Sequence, residues 1–139
     1  MKVSKIMSTR VVCVTMDTTL EVVNKLFSSS RFHHLLVVDG PRVVGVVSDR
    51  DLLKALSPKA DSQFASEKDR ACLRKKVHQI MSRDPIVVKQ DQSILSAVKI
   101  FNQYKISVLP VVNEQQHWVG VLSWRDVFRQ IEHFYTKPE

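Results

Sequence analysis

Two pseudo-symmetric units of the order β-α-β-β-α, an α/β (α+β) fold with the units packed sheet to sheet, are what the sequence predicts. Three observations lead there. The chain repeats itself, each copy passes between short β-rich runs and apolar residues at helical spacing, and a copy of about 55 residues buries only about 60% of its surface, which leaves it marginal alone. Ile6-Met7-Ser8 aligns with Ile80-Met81-Ser82 at an offset of 74, and the register holds through Val12/Ile86, Val14/Val88, Asp17/Asp91, Leu20/Ile94, Lys25/Lys99 and Phe27/Phe101. "LLVVD" then lies over "LPVVN". One extra residue before Val119 moves the offset to 75 and brings "GVVSDRDL" over "GVLSWRDV".

The elements follow in order. Val11 to Val14 and Ile86 to Val88 are β-rich and predict the first strand of each copy. Leu20, Val23, Leu26 and Phe27, and Ile94, Ala97, Val98 and Phe101, recur at helical spacing; Thr18 or Thr19 and Ser93 are candidate N-caps. Two apolar runs come next, Leu35 to Val38 with Val43 to Val47 and Leu109 to Val112 with Val119 to Leu122, separated by turn residues and therefore hairpins. A closing helix runs from Asp49 to Leu56 in the first copy and from Arg125 to about Phe134 in the second. The units span residues 1–57 and 80–139, joined by a polar linker, 58–79, that can form a helical connector anchored by Ala71, Val77 and Ile80. Its basic cluster, Arg70, Arg74, Lys75 and Lys76, reads as a solvated face before it reads as a nucleic-acid patch.

Composition narrows the function classes. With 44% hydrophobic and 25% charged residues the chain is an ordinary globular one, and no apolar run approaches the roughly 20 residues that cross a bilayer. Met1 to Met7 carries lysines with no apolar stretch behind them, the pattern of neither a signal peptide nor a transit sequence. Cys13 and Cys72 lack metal or redox spacing, so a reducing, cytoplasmic compartment without a disulfide is expected. A net charge of +7 favours anionic partners, but with no recognition motif or aromatic stacking surface, nucleic acid is not the expected partner. There is no G-x-S-x-G elbow, P-loop, H-E-x-x-H or metal-spaced Cys/His cluster, and the chain reads as no enzyme.

The repeated "IMSTRVVCV" and "IMSRDPIVV", "LLVVD" and "LPVVN", and the closing G-x-x-S-x-x-D, in the same order twice, resemble the tandem CBS-domain pair, or Bateman module, in free-standing form. The resemblance covers Ile6 to about Ile131 apart from the linker. It implies two clefts between the units, a homodimer, an effector protein that receives the signal, and an adenosine-containing ligand: AMP, ADP, ATP or S-adenosylmethionine.

Two readings of the closing motif then compete. Ser48 with Asp51, and Ser123 with Asp126, have the spacing of a capping box, in which the serine caps the helix and the acid reaches back. In the ligand reading the same aspartates accept hydrogen bonds from ribose hydroxyls beside a helix start that attracts phosphate. His33 and His34 stand where nucleotide-binding members carry a His-Arg pair that meets phosphate, and the second copy has Ser107 and Val108 there. Arg50 and Arg125 add charge or are simply solvated. Adenine walls would come from Val12 to Val14, Ile86 to Val88, Leu35 or Leu109, residues that the core also needs. Two departures bear on the clefts: Leu36 stands where the second copy has Pro110, and Trp124 puts a ring between Ser123 and Asp126. The first motif is therefore the better equipped for a phosphorylated ligand. A ligand-free protein-protein interaction scaffold is the alternative.

Overall fold

The computed structural model describes residues 1–60 and 62–136; Asp61 of the predicted linker and the last three residues of the predicted second unit lie outside them. The first repeat comprises β1 (Cys13–Val14), α1 (Leu20–Ser28), β2 (His34–Asp39), β3 (Arg42–Ser48) and α2 (Asp49–Ala55). A five-residue α3 (Glu67–Ala71) lies in the linker, followed by β4 (Ser82–Arg83). The second repeat adds β5 (Val88–Lys89), α4 (Ile94–Gln103), β6 (Val108–Val112), β7 (Trp118–Ser123) and α5 (Trp124–Thr136). The fold is mixed α+β with two sheets, ordered β1-β2-β3-β4 and β5-β6-β7. In each, the first pair is parallel and the hairpin antiparallel.

Local chemistry starts and stops these elements. Thr19 caps α1 by accepting from the Val22 amide, and Ser93 caps α4 by accepting from Ser96 N at 3.1 Å. The helices turn Leu20 and Val23, and Ala97 and Phe101, inward. The first hairpin closes tightly because Gly40 takes φ +59°, a conformation a side chain resists. The second has a longer loop, held by the Asn113 side chain, whose Oδ1 accepts from Gln115 N and His117 N at 2.9 and 3.0 Å. That loop accommodates the extra residue.

The first strand of each repeat begins two residues later than predicted, at Cys13 and Val88, and Pro110 accounts for the one-step difference in register between them. In the first sheet Cys13 pairs with Leu36, whose amide donates to Val12 O at 3.2 Å. Pro110 occupies the equivalent place and has no N–H to donate, so pairing begins one step later, at Val88 with Val111.

By packing, the chain forms two compact units, Val12–Asp84 and Met1–Val11 together with the chain from Pro85 onward. These cuts differ from those of the sequence repeat. Val77, from the end of the predicted linker, and Met81, from the opening of the second repeat, belong to the core of Val14, Leu20, Val23, Leu35, Val37, Val47 and Leu52. Val3 is fully buried with Val88, Ala97, Phe101, Leu109, Val111, Leu122 and Val127, and Ile6 and Met7 pack against that core. Backbone pairing does the same work: β4 adds to β3 through Ser82 and Val46, while Ser8 and Val121 exchange amide hydrogen bonds of 2.8 and 2.9 Å. Each unit thus completes itself with the opening segment of the other repeat.

In the linker, Val77 is buried as an anchor, and Cys72 is a second one, its thiol donating to Asp69 O at 2.7 Å. Both cysteines are free thiols. Arg70 and Arg74 pair with Glu67 on an exposed face.

Candidate functional site

The corner between β3 and α2 gathers the first set of predicted residues. Ser48 has the extended backbone of an N-cap (φ −104°, ψ 164°), and its Oγ accepts from Asp51 N at 3.1 Å. Asp51 Oδ2 accepts from Ser48 N at 2.9 Å, completing a reciprocal capping box. The register of β2 against β3 sets His34 opposite Ser48. His33, one residue earlier, accepts the Asp49 amide on its carbonyl at 3.0 Å, and its Nδ1 lies 2.9 Å from Asp49 Oδ2. His33, His34, Ser48 and Asp51 therefore share one corner, joined by Asp49, while Arg50 is exposed beside it.

Asp49 was not singled out from the sequence, although it stands next to Ser48; only the fold reveals that His33, sixteen positions away, is its partner. The hydrogen bond from His33 holds the Asp49 carboxyl below the usual carboxylate range; loss of hydration is the next largest influence and opposes it, while the charge of the His33 imidazole adds to the lowering. Burial pushes the His34 imidazole down, and neighbouring His33 adds to this, while Asp49 and Asp51 pull the other way.

The corner between β7 and α5 is built alike but equipped differently. Ser123 N donates to Asp126 Oδ2 at 2.8 Å, Ser123 Oγ does so at 3.1 Å, and Asp126 N lies 3.3 Å from Ser123 Oγ. Asp126 is buried at 8% exposure, and its other oxygen accepts from the Arg129 guanidinium at 3.1 Å. Both of its oxygens are thus engaged. Trp124 stands where the first corner has Asp49, its amide donating to Ser107 O at 3.3 Å. Its ring meets Phe101 edge to face with centroids 6.5 Å apart. Val108, opposite Ser123, replaces His34, and Arg125 is exposed. The first corner carries three more titratable groups of the proton-exchanging kind, His33, His34 and Asp49, where the second carries an aromatic ring.

Of the residues proposed as adenine walls, Val14, Leu35, Val88 and Leu109 are core side chains at 6% exposure or less, whereas Val12, Cys13, Ile86 and Val87 are half-buried. Among the described residues no group of three His, Cys, Asp or Glu side chains is placed to hold a metal ion, and no helix is long and apolar enough to cross a membrane.

The family profile of the CBS domain matches this chain twice, over residues 3–58 and 77–133. A CBS domain-containing protein of Dictyostelium discoideum is 29% identical over 130 residues, 90% of this chain and 87% of that protein. Other relatives are longer: the chain spans 44% and 38% of two Methanocaldococcus jannaschii proteins. Among solved structures, CBSX2 in complex with AMP superposes with a TM-score of 0.79 at 26% identity, covering 96% of this chain and 98% of that one. The CBS domain pair of protein MJ0100, in complex with 5′-methylthioadenosine and S-adenosyl-L-methionine, gives 0.77 at 22%, again covering 96% and 98%, and supports the fold alone.

Proposed function

The chain belongs to the CBS domain family, and from that premise we propose that it is a regulatory module binding an adenosine-containing ligand at its strand-helix corners. AMP, ADP, ATP and S-adenosylmethionine are the candidate ligands. The single observation that carries the reading is the clustering of His33, His34, Ser48 and Asp51 at one corner, in a chain similar along nearly its whole length to a protein crystallised with AMP. Asp51 accepts from the ribose hydroxyls, each charged hydrogen bond contributing roughly 1.5–3 kcal/mol. His34 and His33, with Arg50, face the phosphates. The module acts by binding, not catalysis, in the cytoplasm, as a homodimer whose packing the ligand biases and a partner protein reads.

A second reading rests on one observation: both corners are already complete as helix caps, and at Asp126 both carboxylate oxygens are engaged. On it the protein is a ligand-free interaction scaffold. Calorimetric titration with the four ligands, on wild type and on Asp51→Ala and Asp126→Ala, decides between them. Binding that is lost with Asp51 supports the sensor and assigns the first corner. Heatless titrations with all four ligands would leave the scaffold.

A further inference from the structure

Asp49 and His33 are joined twice. The Asp49 amide donates to His33 O at 3.0 Å, and His33 Nδ1 lies 2.9 Å from Asp49 Oδ2. The backbone bond belongs to the fold, because the second corner makes it too: Trp124 N donates to Ser107 O at 3.3 Å, with neither a carboxylate nor an imidazole at those positions. The side-chain pair is an addition of the first corner. His33 and Asp49 are 72% and 40% exposed in their side chains, and an ion pair so open to water stabilises a fold little. Its consequence is for the imidazole.

An exposed histidine ring turns freely, and tying Nδ1 to a carboxylate fixes which nitrogen is left for a ligand. That nitrogen is Nε2. A carboxylate only accepts, so Nδ1 carries the proton and the neutral ring offers a lone pair at Nε2; a second proton makes Nε2 a donor, with Asp49 balancing the charge. A phosphate oxygen requires that donor. Around the pair stand His34 at the start of β2, Ser48 at the end of β3, and Arg50 and Asp51 in the first turn of α2. Burial disfavours charge on His34, which leaves the more exposed His33 as the ring better able to take the proton. We propose that Asp49 is a positioning residue for phosphate at the first corner: it holds His33 with Nε2 toward the ligand and balances the proton that the ring takes up there. The inference rests on the ligand reading above and names the residue through which that site tells a nucleotide from its nucleoside.

The test is calorimetric titration of the full chain with AMP and with adenosine, as wild type, Asp49→Asn, His33→Gln and the double variant, between about pH 6 and 7.5, with thermal midpoints to establish folding. Asp49→Asn keeps the size and an acceptor but loses the charge. It is expected to weaken AMP binding about fivefold, the difference between a charge-assisted and a neutral hydrogen bond, and to leave adenosine within about twofold of wild type. In this variant the rise of AMP affinity on acidification should move to lower pH, because the imidazolium has lost its counter-charge. The double variant should bind AMP no more weakly than His33→Gln, since Asp49 acts through His33. A carboxylate that merely stood near the phosphate would repel it, so Asp49→Asn binding AMP as tightly as wild type or more tightly would overturn the proposal. Equal weakening of AMP and adenosine, or losses that add in the double variant, would overturn it as well. In each of these cases AMP binding that disappears with Asp51→Ala keeps the ligand reading standing. A wild type that binds neither AMP nor adenosine overturns the proposal, and the ligand reading falls with it if ADP, ATP and S-adenosylmethionine also give no heat.

Discussion

Gly45 lies so close to Met81 that a Cβ built on it would stand 2.7 Å from Met81 Sδ and 2.9 Å from the Ser82 carbonyl oxygen. The equivalent Gly120 would place its Cβ 2.6 Å from the Ser8 carbonyl and 3.0 Å from Met7 Sδ. The glycine of the repeated G-x-x-S-x-x-D is thus required by packing: it lets the I-M-S segment of the other repeat lie against the hairpin strand.

Alanine at either glycine is expected to destabilise by about 1–3 kcal/mol through overpacking. Gly120→Ala should cost more, because its nearest obstacle is backbone, whereas the nearest at Gly45 is a flexible side-chain end. Combining Gly45→Ala with Met81→Ala should recover part of the loss beyond additivity, and Gly120→Ala with Met7→Ala less. Urea midpoints of the two double-mutant cycles measure this; equal coupling in both would contradict the geometry.

The exchange of opening segments makes a prediction about which sheet loosens. Val3→Ala and Val77→Ala each remove a fully buried side chain and should cost about 1–3 kcal/mol. Val3→Ala should speed amide exchange in β5, β6 and β7, and Val77→Ala in β1, β2 and β3, the reverse of what sequence proximity suggests. Hydrogen exchange read by mass spectrometry separates the two patterns.

Capping and ligand contact at the first corner can be told apart by variants that affect them unequally. Ser48→Ala removes the oxygen that accepts from Asp51 N and should cost about 1 kcal/mol of stability. Asp51→Asn keeps an acceptor for Ser48 N but loses the charge, so it should lower stability little while weakening ligand binding at least about tenfold. Thermal midpoints and calorimetry on the same samples check both halves. A variant that loses stability and retains full affinity would make the box a cap and nothing more.

The two helices and the hairpin of each repeat were legible because each carries its own periodicity and stop signals: Thr19, Ser93, Gly40 and Asn113 act on their immediate neighbours. The capping boxes were legible for the same reason. What escaped was long-range. An alignment of Ile6-Met7-Ser8 over Ile80-Met81-Ser82 records likeness and not partnership, so it cannot show that Ser8 pairs with Val121 and Ser82 with Val46. Asp49 escaped similarly, since its link to His33 exists only once β2 and β3 are paired. The difference between Leu36 and Pro110 was visible, but its effect, one missing amide donor at the start of the second parallel pair, needed the register.

The titratable groups of the first corner give the protein a pH dependence whose direction follows from theirs. His34 is held below its ordinary value of about 6.5 in the folded chain, chiefly by burial. The unfolded chain therefore binds the proton more readily, so this contribution to stability is present above about pH 6.5 and is lost as pH falls through the folded value. Asp49, held down mainly by the His33 hydrogen bond, contributes above the ordinary carboxylate range and loses its contribution only below it. Unfolding free energy should thus decline first as pH falls below about 6.5, before the carboxylate range is reached, and His34→Gln should flatten that part of the profile alone. A phosphate beside the imidazoles reverses the balance for the bound state, because it favours the protonated ring. AMP affinity should then rise as pH falls from about 7.5 to 6, with proton uptake visible as a dependence of the calorimetric enthalpy on the buffer's ionisation heat. S-adenosylmethionine, which has no phosphate, should show neither effect. An AMP affinity that is flat across this range would remove both histidines from the ligand site while leaving the stability profile, and its assignment to His34, intact.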